Sequence, residues 1–158
     1  MRLLFLSLVF ATPSLFALPK VGDFSKYRVY VNGVSNHTVT KQLKSFDPVT
    51  KQFDYSILSM QDDGTILYEI NFPSKERDIL AQVASVRQTL GECGAYSTAG
   101  TKEALSTSAG NFDTCRFEHF NRRDIRWHGD VLSGYVKQSY IDSNGDENIE
   151  VLESFSWE

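Results

Sequence analysis

The chain has 158 residues, a formal net charge of −4 and 41% hydrophobic residues, values typical of one globular domain. Its mild acidity disfavours nucleic acid as the main partner, because phosphate binding needs concentrated Lys and Arg. The same charge gives no general attraction to anionic membrane surfaces.

Residues 1–17 have the pattern of an export signal. A positive start at Met1-Arg2 precedes an apolar run over 3–10 and a cleavage region over 11–17, which predicts a cut between Ala17 and Leu18. The apolar run is too short to cross a bilayer as a helix, and the residue directly after the predicted cut is Leu18 and not a cysteine that could carry a lipid. The sequence therefore predicts an exported protein, periplasmic or secreted, that is not an integral membrane protein. We expect a single mature domain over 18–158.

The chain has two cysteines, Cys93 and Cys115. In an oxidising compartment such a pair is best explained as one intramolecular disulfide. The alternative, a redox-active pair, would favour a close C-x-x-C spacing, which this sequence lacks. We therefore predict a structural disulfide.

The segment before Pro73 predicts four antiparallel strands. Apolar and polar residues alternate within it, and the turn signals Asn32-Gly33, Asp47-Pro48 and Asp62-Asp63-Gly64 separate the runs. Short turns between strands favour sequential antiparallel pairing.

The second of these runs, 37–46, carries a charge on its apolar face. Lys41 falls on the same side as Val39 and Leu43. Charges of this kind are common where a sheet ends, so this run is predicted to be an exposed or edge strand.

The apolar period changes from two to 3.6 after Pro73. The helical positions are Ile79, Leu80, Val83, Val86 and Leu90. Ser74 is the predicted N-cap and Gly91 the predicted C-terminal stop, which gives one helix of about four turns. Strand signals then resume over 103–107, 112–120, 125–127, 135–141 and 149–157.

A β-rich chain with one helix predicts an α+β fold. We expect a strongly curved antiparallel sheet, an open or half barrel, packed on that helix. The disulfide is expected to join the end of the helix to a later strand. A groove between helix and sheet is then the default ligand site, unless its aromatic side chains fill it as core. The candidate lining residues are Tyr27, Phe53, Tyr55, Tyr68, Ile79, Val83, Phe112, Phe117 and Trp127.

The segment 106–155 has a distinctive pattern: S-T-S-A-G-N-F-D-T-C-R-F-E, then W-H-G-D-V-L-S-G-Y-V-K-Q-S, then G-D-E-N-I-E-V-L-E-S-F. It resembles uncharacterised secreted bacterial β-rich proteins with A-G-x-F-x-T-C, Trp, G-x-V-K and L-x-S-F strands. More distantly, it resembles the periplasmic lipoprotein-localisation carriers. The resemblance implies a curved sheet lidded by helices that receives acyl chains, and it carries over no binding residue.

Residues 142–153 match the ligand spacing of an EF-hand calcium loop, with oxygen ligands at positions 1, 3, 5, 7, 9 and 12. Those positions are Asp142, Asn144, Asp146, Asn148, Glu150 and Glu153. Glu147 stands at position 6 in place of the usual glycine, and strand formers precede the loop. We therefore expect a β-hairpin with Asn144-Gly145 at its tip, with a calcium-stabilised domain as an alternative.

Histidine provides one weak metal pattern. His128 and Asp130 are two apart and face the same way in an extended segment, which could form half of a metal site. Neither His37 nor His119 supplies a third ligand at a diagnostic spacing. We expect these histidines to be structural or at the surface.

Four arginines form the main basic concentration: Arg116, Arg122, Arg123 and Arg126. Such a cluster could meet an acidic partner or a lipid head group. A charged turn between two strands is the more common interpretation of this pattern.

The sequence contains no strong catalytic motif. Ser133-Gly134, for example, does not match the G-x-S-x-G frame of serine hydrolases. We predict an exported, non-enzymatic protein of the cell envelope that binds a lipid or another apolar small molecule and needs no cofactor. The alternatives are an envelope protein–protein interaction module, using a strand edge or the arginine cluster, and the calcium-stabilised domain.

Overall fold

The computed structural model describes residues 18–96, 99–119 and 123–157. The predicted signal, 1–17, lies outside the described residues. Nine strands and one helix follow one another along the described chain. They are β1 (Phe24–Val31), β2 (Val34–Asp47), β3 (Gln52–Gln61), β4 (Ile66–Lys75), α1 (Glu76–Glu92), β5 (Thr101–Thr107), β6 (Gly110–His119), β7 (Asp124–His128), β8 (Tyr135–Ile141) and β9 (Glu147–Ser156).

The nine strands form one antiparallel sheet in the order β4-β3-β2-β1-β9-β8-β7-β6-β5. The helix connects β4 at one edge to β5 at the other and packs on the sheet. The sheet is not closed into a barrel, and the predicted α+β fold with one main helix is confirmed.

The half of the sheet from β9 to β5 curls until its outer strand contacts β9. Ser108 Oγ donates a hydrogen bond to the Glu153 carbonyl oxygen at 3.1 Å. The ring centroids of Phe112 and Phe155 lie 5.6 Å apart. The tip of the β5–β6 hairpin thus covers a core that contains Tyr27 and Leu152.

Two hairpin turns form where the sequence predicts them. Asn32 and Gly33, between β1 and β2, have φ of 49° and 79°, the left-handed pair that a tight two-residue hairpin requires. Gly145, between β8 and β9, has φ of 90°. The hairpin predicted over 142–153 is therefore confirmed.

The position of β2 differs from its prediction. It is an interior strand between β1 and β3, so the prediction of an exposed or edge strand is wrong. The edges of the sheet are β4 and β5. Lys41 is accommodated in the interior because its ammonium lies over two aromatic rings and donates a hydrogen bond to the Tyr135 hydroxyl.

Both ends of α1 differ from their prediction. Ser74 belongs to β4 and pairs with Phe53 in β3, so the N-cap is Lys75, with no side-chain cap hydrogen bond. Gly91 lies inside the helix, and the left-handed residue after its end is Gly94, with φ of 72°. Pairing between β3 and β4 persists to Lys75 and delays the start of the helix. No helix within the described residues is long and apolar enough to cross a membrane.

The helix packs on one face of the sheet, which we call the inner face. Ile79 and Val83 are buried, and Ile79 packs in one core cluster with Leu43, Phe53 and Leu132. Further along, Arg87 pairs with the Asp130 carboxylate at 3.0 Å.

The predicted disulfide between Cys93 and Cys115 is confirmed. It joins the residue that follows α1 to β6, and both cysteines are buried. The helix is thereby fixed to the β5–β9 half of the sheet.

Removal of this bond should destabilise the protein. For Cys93→Ser with Cys115→Ser we expect the free energy of unfolding to fall by about 3 kcal/mol, because the bond closes a loop of 22 residues in the unfolded chain. Urea unfolding of the oxidised chain, the reduced chain and the double variant measures this. Equal midpoints for the oxidised and reduced chains would contradict it.

Candidate functional site

The inner face is covered unevenly. At one end, Ile79 of the helix packs against the sheet and Gln82 Nε2 approaches the Leu132 carbonyl oxygen at 3.5 Å. Three large side chains of β4 are exposed instead: Tyr68 by 45%, Ile70 by 50% and Phe72 by 39%.

The strand register places these three residues on the inner face. Phe72 pairs with Tyr55, Ile70 pairs with Ile57, and the same face continues from Ile57 to Lys41 in β2. The ring centroids of Tyr55 and Phe72 are 5.1 Å apart. We call this group the apolar strip, and it consists of Tyr55, Ile57, Tyr68, Ile70 and Phe72.

A group of polar side chains lies next to the apolar strip. We call it the polar cluster, and it consists of Tyr27, Lys41, Ser133, Tyr135, Tyr140 and Glu150. The Lys41 ammonium donates to the Tyr135 hydroxyl, which donates to Glu150 Oε2 at 2.6 Å. The Tyr140 hydroxyl approaches Glu150 Oε1 at 3.5 Å. A lysine and a glutamate are therefore joined through one tyrosine.

Two stacked tyrosines position Lys41. The rings of Tyr27 and Tyr135 have centroids 4.8 Å apart, and the Lys41 nitrogen lies 5.3 Å and 4.6 Å from them. The Tyr27 hydroxyl donates to the Tyr135 carbonyl oxygen at 2.6 Å and is hydrogen-bonded to the Ser133 hydroxyl. These contacts compensate the ammonium for the water that it loses.

Burial dominates the electrostatics of the polar cluster. It raises the pKa of Tyr27, and burial together with the Glu150 charge raises the pKa of Tyr135 well above its usual range. The same two causes raise the pKa of Tyr140 to about 12. Burial lowers the pKa of Lys41, and the Glu150 charge opposes that change. Tyrosines with raised pKa values stay protonated at neutral pH, so their hydroxyls can donate hydrogen bonds there.

The predicted lining residues fall in several places. Five of them are buried core residues, namely Tyr27, Phe53, Ile79, Val83 and Trp127. Phe112 packs on Phe155, and Phe117 makes an edge contact with His128, at a centroid distance of 5.5 Å. Tyr55 and Tyr68 belong to the apolar strip, and Tyr27 also belongs to the polar cluster.

Trp127 lies on the outer face, opposite the helix. Trp127 pairs with Lys137, Lys137 with Val151, and Val151 with Arg28, so these residues lie on one face of the sheet. Arg28 is adjacent in β1 to Tyr27, whose side chain lies on the inner face. The Lys137 nitrogen lies 4.6 Å from the Trp127 ring centroid. Because strand neighbours face opposite ways, Trp127 does not line the space between helix and sheet.

Sequence reasoning missed most of the site. Lys41 was visible as a charge on an otherwise apolar strand face, which is the one local signal that could have indicated it. Ile57 and Ile70 carry ordinary strand patterns, and Glu150 stands out in the sequence as a calcium-loop position. Their convergence depends on strand order, which the sequence does not state.

The calcium-type residues do not converge on one point. The Asp142 carboxylate accepts the backbone N–H of Asn144 at 2.8 Å and of Asp146 at 3.0 Å, as in an Asx turn. Glu150 belongs to the polar cluster, and Glu153 pairs with Arg28 at 3.0 Å. Among the described residues, no group of three or more His, Cys, Asp and Glu side chains could hold a metal ion.

Two described arginines of the basic concentration, Arg116 and Arg126, have partners. Arg116 pairs with Glu118 and lies 5.6 Å from the Trp127 ring, and Arg126 pairs with Asp124 at 2.9 Å. Arg122 lies outside the described residues, and Arg123 is exposed in the turn before β7.

His128 and Asp130 do not face a common point. The His128 Nδ1 atom lies 3.1 Å from the Gly134 carbonyl oxygen, to which it can donate. The Asp130 carboxylate instead bonds to Arg87 and to the Trp157 indole nitrogen, which lies 3.3 Å away. Each of the two side chains therefore has a structural contact of its own.

Comparison with solved structures shows which fold this is. The chain is similar to a crystal structure from Bacteroides fragilis of a protein described as exported and as having a YmcC-like fold, with a TM-score of 0.52 and 10% identity over 89% of this chain and 99% of that one. It is also similar to a structure of a protein from Parabacteroides distasonis described as a lipoprotein, with a TM-score of 0.51 and 13% identity over 89% and 98%. No family model and no curated protein matches the sequence. At these identities the similarity shows a shared fold.

The raised tyrosine pKa values predict alkaline destabilisation. Burial raises the pKa of Tyr55 to about 12, against about 10 in an unfolded chain. The unfolded state therefore loses its protons first, so the stability is fully present below pH 10 and is lost as the pH rises towards 12. The lowered pKa of Lys41 has the opposite effect, because it makes the protein more stable as the pH rises. That gain in stability is complete at about pH 10.5, the ordinary pKa of a lysine.

Urea midpoints between pH 8 and pH 12 measure this loss. Tyr55→Phe should make the decline above pH 10 shallower, because it removes one of the titrating hydroxyls. Tyr96→Phe, at a position that is 58% exposed, is the matched control. Identical declines for Tyr55→Phe and the unmodified chain would contradict the assignment.

Proposed function

We propose that this protein is exported and non-enzymatic, and that it binds an amphiphilic ligand that carries an acyl chain on the inner face of its sheet. The apolar strip would hold the chain and the polar cluster would hold the polar head. The observation that carries the proposal is the exposure of Tyr68, Ile70 and Phe72 beside a lysine–tyrosine–glutamate chain.

The apolar strip supports binding because it leaves a contiguous apolar surface in water. Soluble monomers rarely expose such a patch without a use for it. Covering it is favourable by about 25 cal/mol for each Å² of apolar area removed from water. Its residues come from two adjacent strands with fixed register, so the surface exists before a ligand arrives.

The polar cluster supports a particular kind of head. Lys41 and Glu150 carry opposite charges and are already joined through Tyr135. The cluster therefore offers hydrogen-bond donors and an acceptor with little net charge. This combination favours an uncharged polar head or a zwitterionic one over a strongly anionic one.

Several observations support export. The pattern of residues 1–17 predicts a signal, and the disulfide is typical of oxidising compartments. Proteins that share the fold are described as exported and as a lipoprotein. An envelope location would bring the inner face close to lipids.

The proposed ligand position lies beside the helix rather than beneath it. Ile79 and Phe53 are 5% and 3% exposed and pack in one core cluster. A chain inserted there would displace side chains that are packed at core density. The strip on β3 and β4 needs no such displacement.

Two substitutions in one strand test the proposal. Ile70 pairs with Ile57, and Ile66 pairs with Met60, three positions further along β3 and on its other face. Ile70→Asn should weaken acyl-chain binding roughly 10- to 100-fold, because it removes the burial of one apolar side chain. Ile66→Asn, at a residue that is 57% exposed, should change binding less than twofold.

Binding is measured with a fluorescently labelled zwitterionic lipid and with native mass spectrometry of protein purified without detergent. A bound mass of lipid size that decreases in Ile70→Asn but persists in Ile66→Asn would support the proposal. No probe binding to the unmodified chain, or equal losses in both variants, would overturn it.

A further inference from the structure

The two edges of the sheet differ in character. The β5 edge carries Lys102 and Glu103, and charges on an edge strand discourage pairing with another chain. The β4 edge also carries two charges, Glu69 and Lys75, but it exposes a series of large apolar side chains, which are Ile66, Leu67, Tyr68, Ile70 and Phe72. A long apolar edge of this kind is a template for strand addition.

One hydrogen bond fixes which backbone groups of β4 face outwards. The Glu76 N–H donates to the Lys51 carbonyl oxygen at 3.0 Å, just beyond the pairing of Lys75 with Gln52. In an antiparallel ladder the bonded residues alternate, so even-numbered residues of β4 bond to β3. Glu69 and Asn71 therefore direct their N–H and C=O groups away from the sheet. Pro73, which lacks an N–H, also falls on this outward side, where it is tolerated.

We propose that β4 pairs antiparallel with β4 of a second copy of this chain, about a two-fold axis between their Ile70 residues. Glu69 of each copy then exchanges backbone hydrogen bonds with Asn71 of the other. Tyr68 of each copy lies opposite Phe72 of the other on the inner face. Aromatic pairs across antiparallel strands are stabilising.

The neighbouring registers are worse. An axis at Glu69 sets two carboxylates opposite each other, which is unfavourable. An axis at Asn71 sets Glu69 opposite Pro73, which has no N–H to donate. The axis at Ile70 avoids both problems, and β4 is complementary to itself in that register. This self-complementarity is what commits the edge to a second copy, as a two-fold interface requires.

The backbone hydrogen bonds of the pairing use groups other than those proposed for the ligand, whereas the contacts between Tyr68 and Phe72 involve the apolar strip. The hydrogen bonds come from the backbone of Glu69 and Asn71. The side chains of these two residues lie on the outer face, because they alternate along β4 with those of the apolar strip. On that face Lys44 pairs with Glu69 at 2.6 Å. The two apolar strips become adjacent across the axis. The backbone pairing of the two copies therefore does not require a ligand.

Opposite charges at position 71 test the register. Asn71→Glu places a carboxylate opposite Glu69 of the other copy twice per dimer. We therefore expect the dissociation constant of the dimer to rise roughly 2- to 30-fold. Asn71→Lys places an ammonium there and should make the dimer tighter by a similar factor. Asn71 is exposed and faces away from the helix, so both variants should fold. Thr101→Glu in β5 is the control and should leave association unchanged.

Sedimentation of the full mature chain over a range of concentrations measures association. A concentration-dependent dimer with opposite responses to the two Asn71 variants would support the proposal. If the unmodified chain and the Asn71→Lys variant both stay monomeric, the proposal is wrong. A dimer whose dissociation constant is unchanged in both variants, or changes in the same direction in both, would also overturn it. So would a different protein bound stoichiometrically at this edge.

Discussion

The rest of the structure depends on a mismatch between one helix and a wide sheet. The eight spacings between nine strands, at about 4.8 Å each, span about 38 Å, while a helix of 17 residues is about 26 Å long. A single helix therefore cannot cover the whole inner face. The sheet responds differently in its two halves. The β5–β9 half curls until β5 contacts β9, and in the β2–β4 half the edge strand β4 keeps large apolar side chains exposed.

The polar cluster lies where these two halves meet. Tyr27 and Tyr135 belong to a buried core cluster, and Lys41 and Glu150 are partly exposed. A charged lysine in an interior strand is costly unless its hydrogen bonds and charge are satisfied. Here the aromatic rings, a tyrosine hydroxyl and a nearby carboxylate provide that compensation. The packed half thus presents a preformed polar surface to the open half.

Local patterns predicted the elements well, and tertiary pairing accounts for the errors. The Asn32-Gly33 turn and the 142–153 hairpin need only their own residues, so the sequence was sufficient for them. The helix start failed at Ser74 because β4 continues to pair with β3 through that residue. The edge assignment of β2 failed because β1 and β3 flank it, and the sequence alone does not distinguish a charge on an edge strand from one in an interior strand. Two of the site's residues, Ile57 and Ile70, are distinguished only by their position relative to the helix.

Strand order also explains why the exposed strip and the exposed edge occur together. The chain leaves β4 directly into α1, and the helix then carries it to β5 at the far edge. The helix begins at Glu76, directly after β4, and the inner-face side chains Tyr68, Ile70 and Phe72 of that strand remain exposed. The outward backbone groups of β4 have no neighbouring strand because β4 is an edge of the sheet. A covered β4 would need a second helix or an additional strand, and a second copy of the same edge is a partner that can supply the additional strand.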